Sequence, residues 1–165
     1  MAKKLLNPST LPGRFESRVF LGGSYKIAVP AALAPRQMLD ELKKVVRSVG
    51  LQPILADEYE VVNADRDIHH DAIFLLHACR LAIFELSEFS GALMEIERTA
   101  DFGTQCIILH HDPEGTGWRL SRMLSSFQQE HHARLRLFGY TEVADAKIAA
   151  RNWLQEMLRL KHAVK

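Results

Sequence analysis

Residues 80–103 read RLAIFELSEFSGALMEIERTADFG. Leu81 to Leu86 is a short apolar run holding one acid, Glu85, and predicts a buried strand. Ser87 to Gly91 breaks that pattern, after which Leu93, Ile96 and Ala100 recur at helical spacing. The stretch is a strand, a tight polar turn and a helix. In an open α/β sheet, ligands bind at the loops leaving the carboxyl ends of the strands. Ser87, Ser90, Gly91 and Glu95 are therefore expected at the lip of a site, with Glu95 the leading candidate for chemistry.

Outward from this stretch the same alternation repeats. Towards the N-terminus, Ser17 to Leu21 predicts a first strand, followed by the glycine loop Gly22, Gly23, Ser24, Tyr25 and Lys26. Arg36 to Val49 carries an apolar stripe of Met38, Leu42, Val45, Val46 and Val49 and predicts a helix stopped by Gly50. Gln52 to Ala56 predicts a second strand. Asp57 to Asp67, acidic and without periodicity, predicts a long loop. Asp67 to Cys79 then predicts a helix capped by Asp67, with Asp71 partly buried beside Ile68 and Leu75.

Towards the C-terminus, Thr104 to Leu109 predicts a fourth strand ending in His110, His111, Asp112 and Pro113. A weaker helix is expected from Trp118 to Phe127, a fifth strand from Arg134 to Phe138 and a closing helix from Val143 to Leu160. Strand alternating with helix implies a parallel sheet covered on both faces. The expected fold is a flavodoxin-like α/β three-layer sandwich around a five-stranded, mainly parallel sheet. Residues 1–16, with Pro8, Ser9, Thr10, Pro12 and Gly13, are expected to form a flexible arm, and residues 17–162 a single domain.

Bulk composition narrows the function. A chain of 165 residues, 47% hydrophobic and 25% charged, suits one ordinary domain. A formal net charge of +1 advertises neither nucleic acid nor an anionic membrane surface as partner. No window supplies the roughly 18 apolar residues of a spanning helix. The two cysteines, Cys79 and Cys106, each lie in apolar surroundings and suit reduced core thiols, so a cytoplasmic location is expected.

Phosphate-loop, complete GxGxxG and GxSxG signatures are missing, which removes the common nucleotide hydrolases and serine hydrolases. The histidine pairs His69-His70, His110-His111 and His131-His132 offer no HxxxH spacing with a third ligand, so neither metal nor cofactor is expected. His110 and His111, at a strand's carboxyl end, are better suited to lining a pocket. Phe20, Tyr25 and Phe89 flank the expected site and could stack a base, although an aromatic at such a position is core more often than not.

What remains is an ordered set of short motifs. Gly22-Gly23-Ser24, Ile68-His69-His70-Asp71, Ala82 to Leu86 with Ser90-Gly91 and Glu95-Ile96, and Ser121-Arg122-Met123-Leu124 follow one another along the chain. In that order they resemble the nucleoside 2-deoxyribosyltransferase superfamily, above all its 2′-deoxynucleoside 5′-phosphate N-hydrolase branch. The resemblance spans Val19 to Leu158. It implies a homodimeric N-glycosidase for a (deoxy)nucleoside or its 5′-monophosphate, hydrolysing or transferring the base. Glu95 would be nucleophile or oxocarbenium stabiliser, and Asp71 the acid or base-orienting group. Gly23, Ser24, Tyr25, Ser90 and Gly91 would bind substrate, and Ser121 would reach the phosphate across the dimer.

Those residue types suit the chemistry. Breaking an N-glycosidic bond passes through an oxocarbenium-like state that one carboxylate stabilises or captures, while a second acid attends to the base. The chain departs from the family at Phe20, where a tyrosine is usual, and at Ile96-Glu97-Arg98, where Leu-Gly usually follows the glutamate. Ser87 to Glu95 is also similar to the turn and helix of Toll/interleukin receptor-like domains, whose enzymatic members cleave NAD at the nicotinamide bond. Outside both resemblances, Glu95 and Asp71 read as solvated helix acids, Glu97 is as good a candidate as Glu95, and the fold could serve as a non-catalytic nucleotide-binding module.

Overall fold

The computed structural model describes residues 4–6, 11–23, 35–61, 68–86, 92–112, 129–130 and 133–163. Its main sheet is built from β2 (Arg18–Gly23), β3 (Gln52–Leu55), β5 (Leu81–Glu85), β6 (Gln105–His111) and β7 (Leu135–Tyr140). The strand order is β3-β2-β5-β6-β7 and every neighbouring pair is parallel. This is the flavodoxin-like α/β fold. The expected sheet is therefore realised, and it is wholly parallel. Pro53, which has no N–H to donate, sits in the edge strand β3, where a proline is tolerated.

The two-residue period of the strands assigns side chains to two cores. Val19, Leu21, Leu81, Ile83, Ile107 and Leu109 face one way, against α1 (Pro35–Ser48) and α4 (Val143–Ala163). Phe20, Ala82, Phe84, Cys106 and Ile108 face the other, against α2 (Ile68–His77) and α3 (Ala92–Phe102). A parallel sheet covered on both faces needs strands that are apolar on both, and β5 is buried at every position. Cys79 and Cys106 are free and buried, and burial pushes both thiols up to about 12.

Helix boundaries follow from local chemistry. Proline opens α1, where its fixed φ and missing N–H cost nothing. At the other end Gly50 takes φ +78°, so its N–H reaches Arg47 O at 3.0 Å and that of Leu51 reaches Val46 O at 3.1 Å. That pair of bonds closes the helix, and the left-handed residue between them favours glycine. Gly103, at φ +67°, ends α3 in the same way, with Thr104 N–H on Thr99 O at 3.0 Å.

Two expectations are corrected. The acidic stretch after β3 is not simply a loop: Ala56–Glu58 form a 3-10 turn and Tyr59–Val61 form β4. Its first two acids are held by α1, since Asp57 accepts from Arg36 at 2.7 Å and Glu58 pairs with Lys43. Nor is the amino-terminal stretch wholly a free arm. Lys4–Leu6 form β1, which pairs in parallel with β4 from Lys4↔Tyr59 to Leu6↔Val61. Leu11 is buried, and the Arg18 guanidinium donates to the carbonyls of Leu11, Pro12, Gly13 and Ala78. Composition missed this because the ordering groups are main-chain carbonyls and a strand far along the chain. The expected Asp67 cap and the helix from Trp118 to Phe127 lie outside the described residues. No helix among the described residues is long and apolar enough to cross a membrane.

Candidate active site

β2 and β5 lie side by side at the centre of the sheet, with Gly22 opposite Phe84 and Gly23 opposite Glu85. From β2 the chain moves outward to β3, and from β5 it moves the other way to β6 and β7. Their carboxyl ends therefore flank the topological switch point, where a doubly wound sheet opens a crevice. α3 enters directly above it. Ala92, Glu95, Ile96 and Thr99 form the buried side of that helix, at the spacing of successive turns.

Glu95 is only 7% exposed. A β-carbon built on Gly22 would lie 2.9 Å from Glu95 Oε2 and 2.6 Å from two ring carbons of Phe84. The acid thus rests against the bare main chain at the end of β2, a place that exists because residue 22 has no side chain. Glu95 Oε2 is buried and finds no hydrogen-bond partner among the described residues. Withdrawal from water without a compensating donor disfavours the charged form, and burial raises the carboxyl to about 7. A carboxylate starved of solvation is strongly attracted to any positive charge that develops beside it.

The opposite face of the same edge carries a second buried acid. Glu85, the last residue of β5, is 1% exposed, and its Oε1 accepts the Tyr140 hydroxyl at 3.0 Å. The ring of His111 packs 5.3 Å from that of Tyr140, and His111 Nε2 lies 3.2 Å from Thr141 O. Removing a donor from a buried acid takes away part of what offsets its desolvation. Tyr140→Phe is therefore expected to cost about 2 kcal/mol of stability, read as a lower urea midpoint at unchanged slope. A midpoint equal to wild type would mean that the pair contributes nothing. On the Glu95 face, His110 closes the end of β6, with Nδ1 3.0 Å from the carbonyl oxygen of Leu86.

Of the expected site residues, Glu95, Gly23 and Asp71 are described. Glu95 is buried at the switch point, against Gly22. Gly23 is there for close approach, since a β-carbon would meet the carbonyl oxygen of Glu85 at 2.9 Å. Asp71 lies in the first turn of α2, which packs on α3; it is half-buried, and its Oδ1 has no hydrogen-bond partner among the described residues. Ser24, Tyr25, Ser90, Gly91 and Ser121 fall outside the described residues, as does Phe89.

Phe20 follows the core alternative: it is fully buried, its ring 5.9 Å from that of Phe84, and it is no platform for a base. The Glu85–Tyr140 pair was not anticipated as part of the site. The lone acid inside the apolar run of β5 was its one signal in the sequence, and nothing local pointed to a tyrosine 55 positions away.

Fold and edge geometry together define the class, a flavodoxin-like or Rossmann-like α/β domain with a buried carboxyl at its switch point. No family model matches the chain, and no curated protein matches it by sequence. Among solved structures, a de novo designed Rossmann 2x3 fold protein matches with a TM-score of 0.52 and 15% identity, over 85% of this chain and 90% of that one. The Clostridium botulinum CMP N-glycosidase BcmB matches with a TM-score of 0.50 and 17% identity, over 82% of this chain and 98% of that one. A designed chain and an enzyme share this architecture equally well, so the likeness establishes the fold alone.

Proposed function

We propose that this protein is an N-glycosidase that releases the base of a (deoxy)nucleoside 5′-monophosphate, with Glu95 as nucleophile or oxocarbenium stabiliser. The observation that carries this reading is the buried Glu95 carboxyl, whose Oε2 has no hydrogen-bond partner among the described residues, against Gly22 at the switch point. Such a group interacts weakly with a neutral glycoside and strongly with the cation formed as the C1′–N bond lengthens. That difference is what lowers a barrier. Asp71 is assigned the second acid role, on the base. The fold likeness to a CMP N-glycosidase supports the same class.

Chromatography of a mixed pool of nucleoside monophosphates, nucleosides and NAD after incubation with the protein tests the reading. Free base and sugar phosphate are expected. Nucleotide that binds but stays intact would overturn it, and release of nicotinamide alone would move the assignment to NAD cleavage.

The pH dependence has a defined sign. Only the ionised carboxylate pairs with the cation, and Glu95 ionises near 7 rather than at the usual carboxylate value of 4.5. The acid limb of kcat/KM is expected to rise with a midpoint near 7, roughly tenfold per pH unit below it. A profile already flat at pH 5 would show that the reacting carboxyl is not this one.

A further inference from the structure

We propose that Phe84 is a positioning residue of the site, its ring the apolar wall that keeps water from the Glu95 carboxyl, and this role rests on the N-glycosidase reading. Gly22 and Phe84 are register partners on neighbouring parallel strands, so they share one face of the sheet. With no side chain at residue 22, the Phe84 ring lies over the end of β2. A β-carbon there would be 2.6 Å from Cδ1 and from Cε1 of that ring and 2.9 Å from Glu95 Oε2, and beyond its chain neighbours no other heavy atom comes nearer. Ring and carboxyl oxygen thus converge on a single point.

The ring is held as well as close. Phe84 is fully buried, and Phe20 packs against it with ring centroids 5.9 Å apart. An aromatic hydrocarbon offers a carboxylate no conventional donor and takes the place of the water that would supply one. Among the described residues Glu95 Oε2 finds no donor elsewhere, and burial is the cause of its raised carboxyl.

The titratable groups described on the elements around α3 leave this role to the ring. Asp71 stands in the first turn of α2, and His77, in its last turn, stacks on Phe102 at 4.7 Å between ring centroids. On β6, Cys106 is a thiol held neutral by burial, and His110 closes the carboxyl edge against Leu86 O. Glu97, Arg98 and Asp101 of α3 itself are exposed, and Glu85 of β5 turns to the opposite face, towards Tyr140. What Phe84 supplies is hydrocarbon, which raises the cost of the free carboxylate that a cationic sugar then relieves. Leucine in its place leaves room for water, and a carboxylate that water already solvates gains less from that cation.

The first test leaves the ring in place. In protein with isotope-labelled phenylalanine rings, the Phe84 resonances are expected to titrate with a midpoint near 7 in wild type and to stay constant in Glu95→Gln. Wild-type resonances that do not move between about pH 5 and pH 9, or a titration that survives in Glu95→Gln, would overturn the assignment. The second test compares Phe84→Leu with Phe102→Leu, a partly buried ring of the same core at the far end of α3. Glu95 ionisation is read in each as the pH dependence of the stability gained on adding Glu95→Gln, and as the acid limb of kcat/KM. Phe84→Leu is expected to lower that midpoint by about one pH unit and to cost about tenfold in kcat at pH 8, while Phe102→Leu leaves the midpoint in place. A midpoint unmoved in Phe84→Leu, or moved equally in both variants, would make Phe84 a packing residue only. No base release by wild type from any nucleotide would remove the N-glycosidase reading and the role within it; the ring titration, which needs no substrate, separates that failure from a misplaced ring.

Discussion

Glu95→Gln is expected to abolish base release, by at least about 10³-fold in kcat, while making the protein more stable at alkaline pH. The two effects share one cause. Burial raises the Glu95 carboxyl to about 7 in the folded chain, against an ordinary value of 4.5. Below about pH 4 the group is protonated both folded and unfolded, and the shift has no effect on stability. As pH rises, the unfolded chain loses this proton first, so stability falls until the folded state has ionised as well, above about pH 7.

The full penalty, set by the difference between those two values, is about 3 kcal/mol. Glutamine carries no such penalty, so the variant and wild type should unfold alike near pH 4 and diverge by about that amount at pH 8. Urea titrations at the two pH values read the difference directly. Parallel stability curves for the two proteins would show that the carboxyl is solvated in solution, and the electrostatic basis of the proposed chemistry would go with it.

Gly22→Ala should damage both fold and site. Space is the problem: a β-carbon there would meet the Phe84 ring at 2.6 Å and Glu95 Oε2 at 2.9 Å. The ring is held in the core by Phe20 and cannot swing away as the end of a flexible side chain could. Overpacking of this kind costs about 1–3 kcal/mol, and displacing the carboxyl by even a fraction of an ångström is expected to cost about 10²-fold in kcat.

Gly50→Ala is the control. It meets no atom within 4 Å but must hold φ +78°, so it should lose about 1 kcal/mol of stability and no activity. Wild-type stability in Gly22→Ala would place Glu95 and Phe84 away from the end of β2.

How much of this was legible beforehand differs element by element. The apolar run from Leu81 to Leu86 and the helical stripe from Met38 to Val49 are visible in the chain itself, because each is a pattern shorter than the element it marks. Gly22 was visible as part of a glycine loop, yet its reason was not: the atom it makes room for belongs to a helix that begins at Ala92. His110 could be placed at a strand end, but its tautomer depends on a carbonyl contributed by another strand's exit. Asp57 and Glu58 looked like solvated loop because their partners, Arg36 and Lys43, lie back along the chain on α1.

Sequence alone gave the five strands of the main sheet and the parallel pairing that their alternation with helices demands, and it pointed to Glu95 as the acid to watch. Tertiary structure decided that β1 pairs with β4, that Phe20 is core, that Tyr140 holds Glu85, and that Glu95 is desolvated against Gly22. Periodicity is a property of neighbours along the chain. Burial, and with it the charge a carboxyl can carry, is set by segments that meet only when the chain has folded.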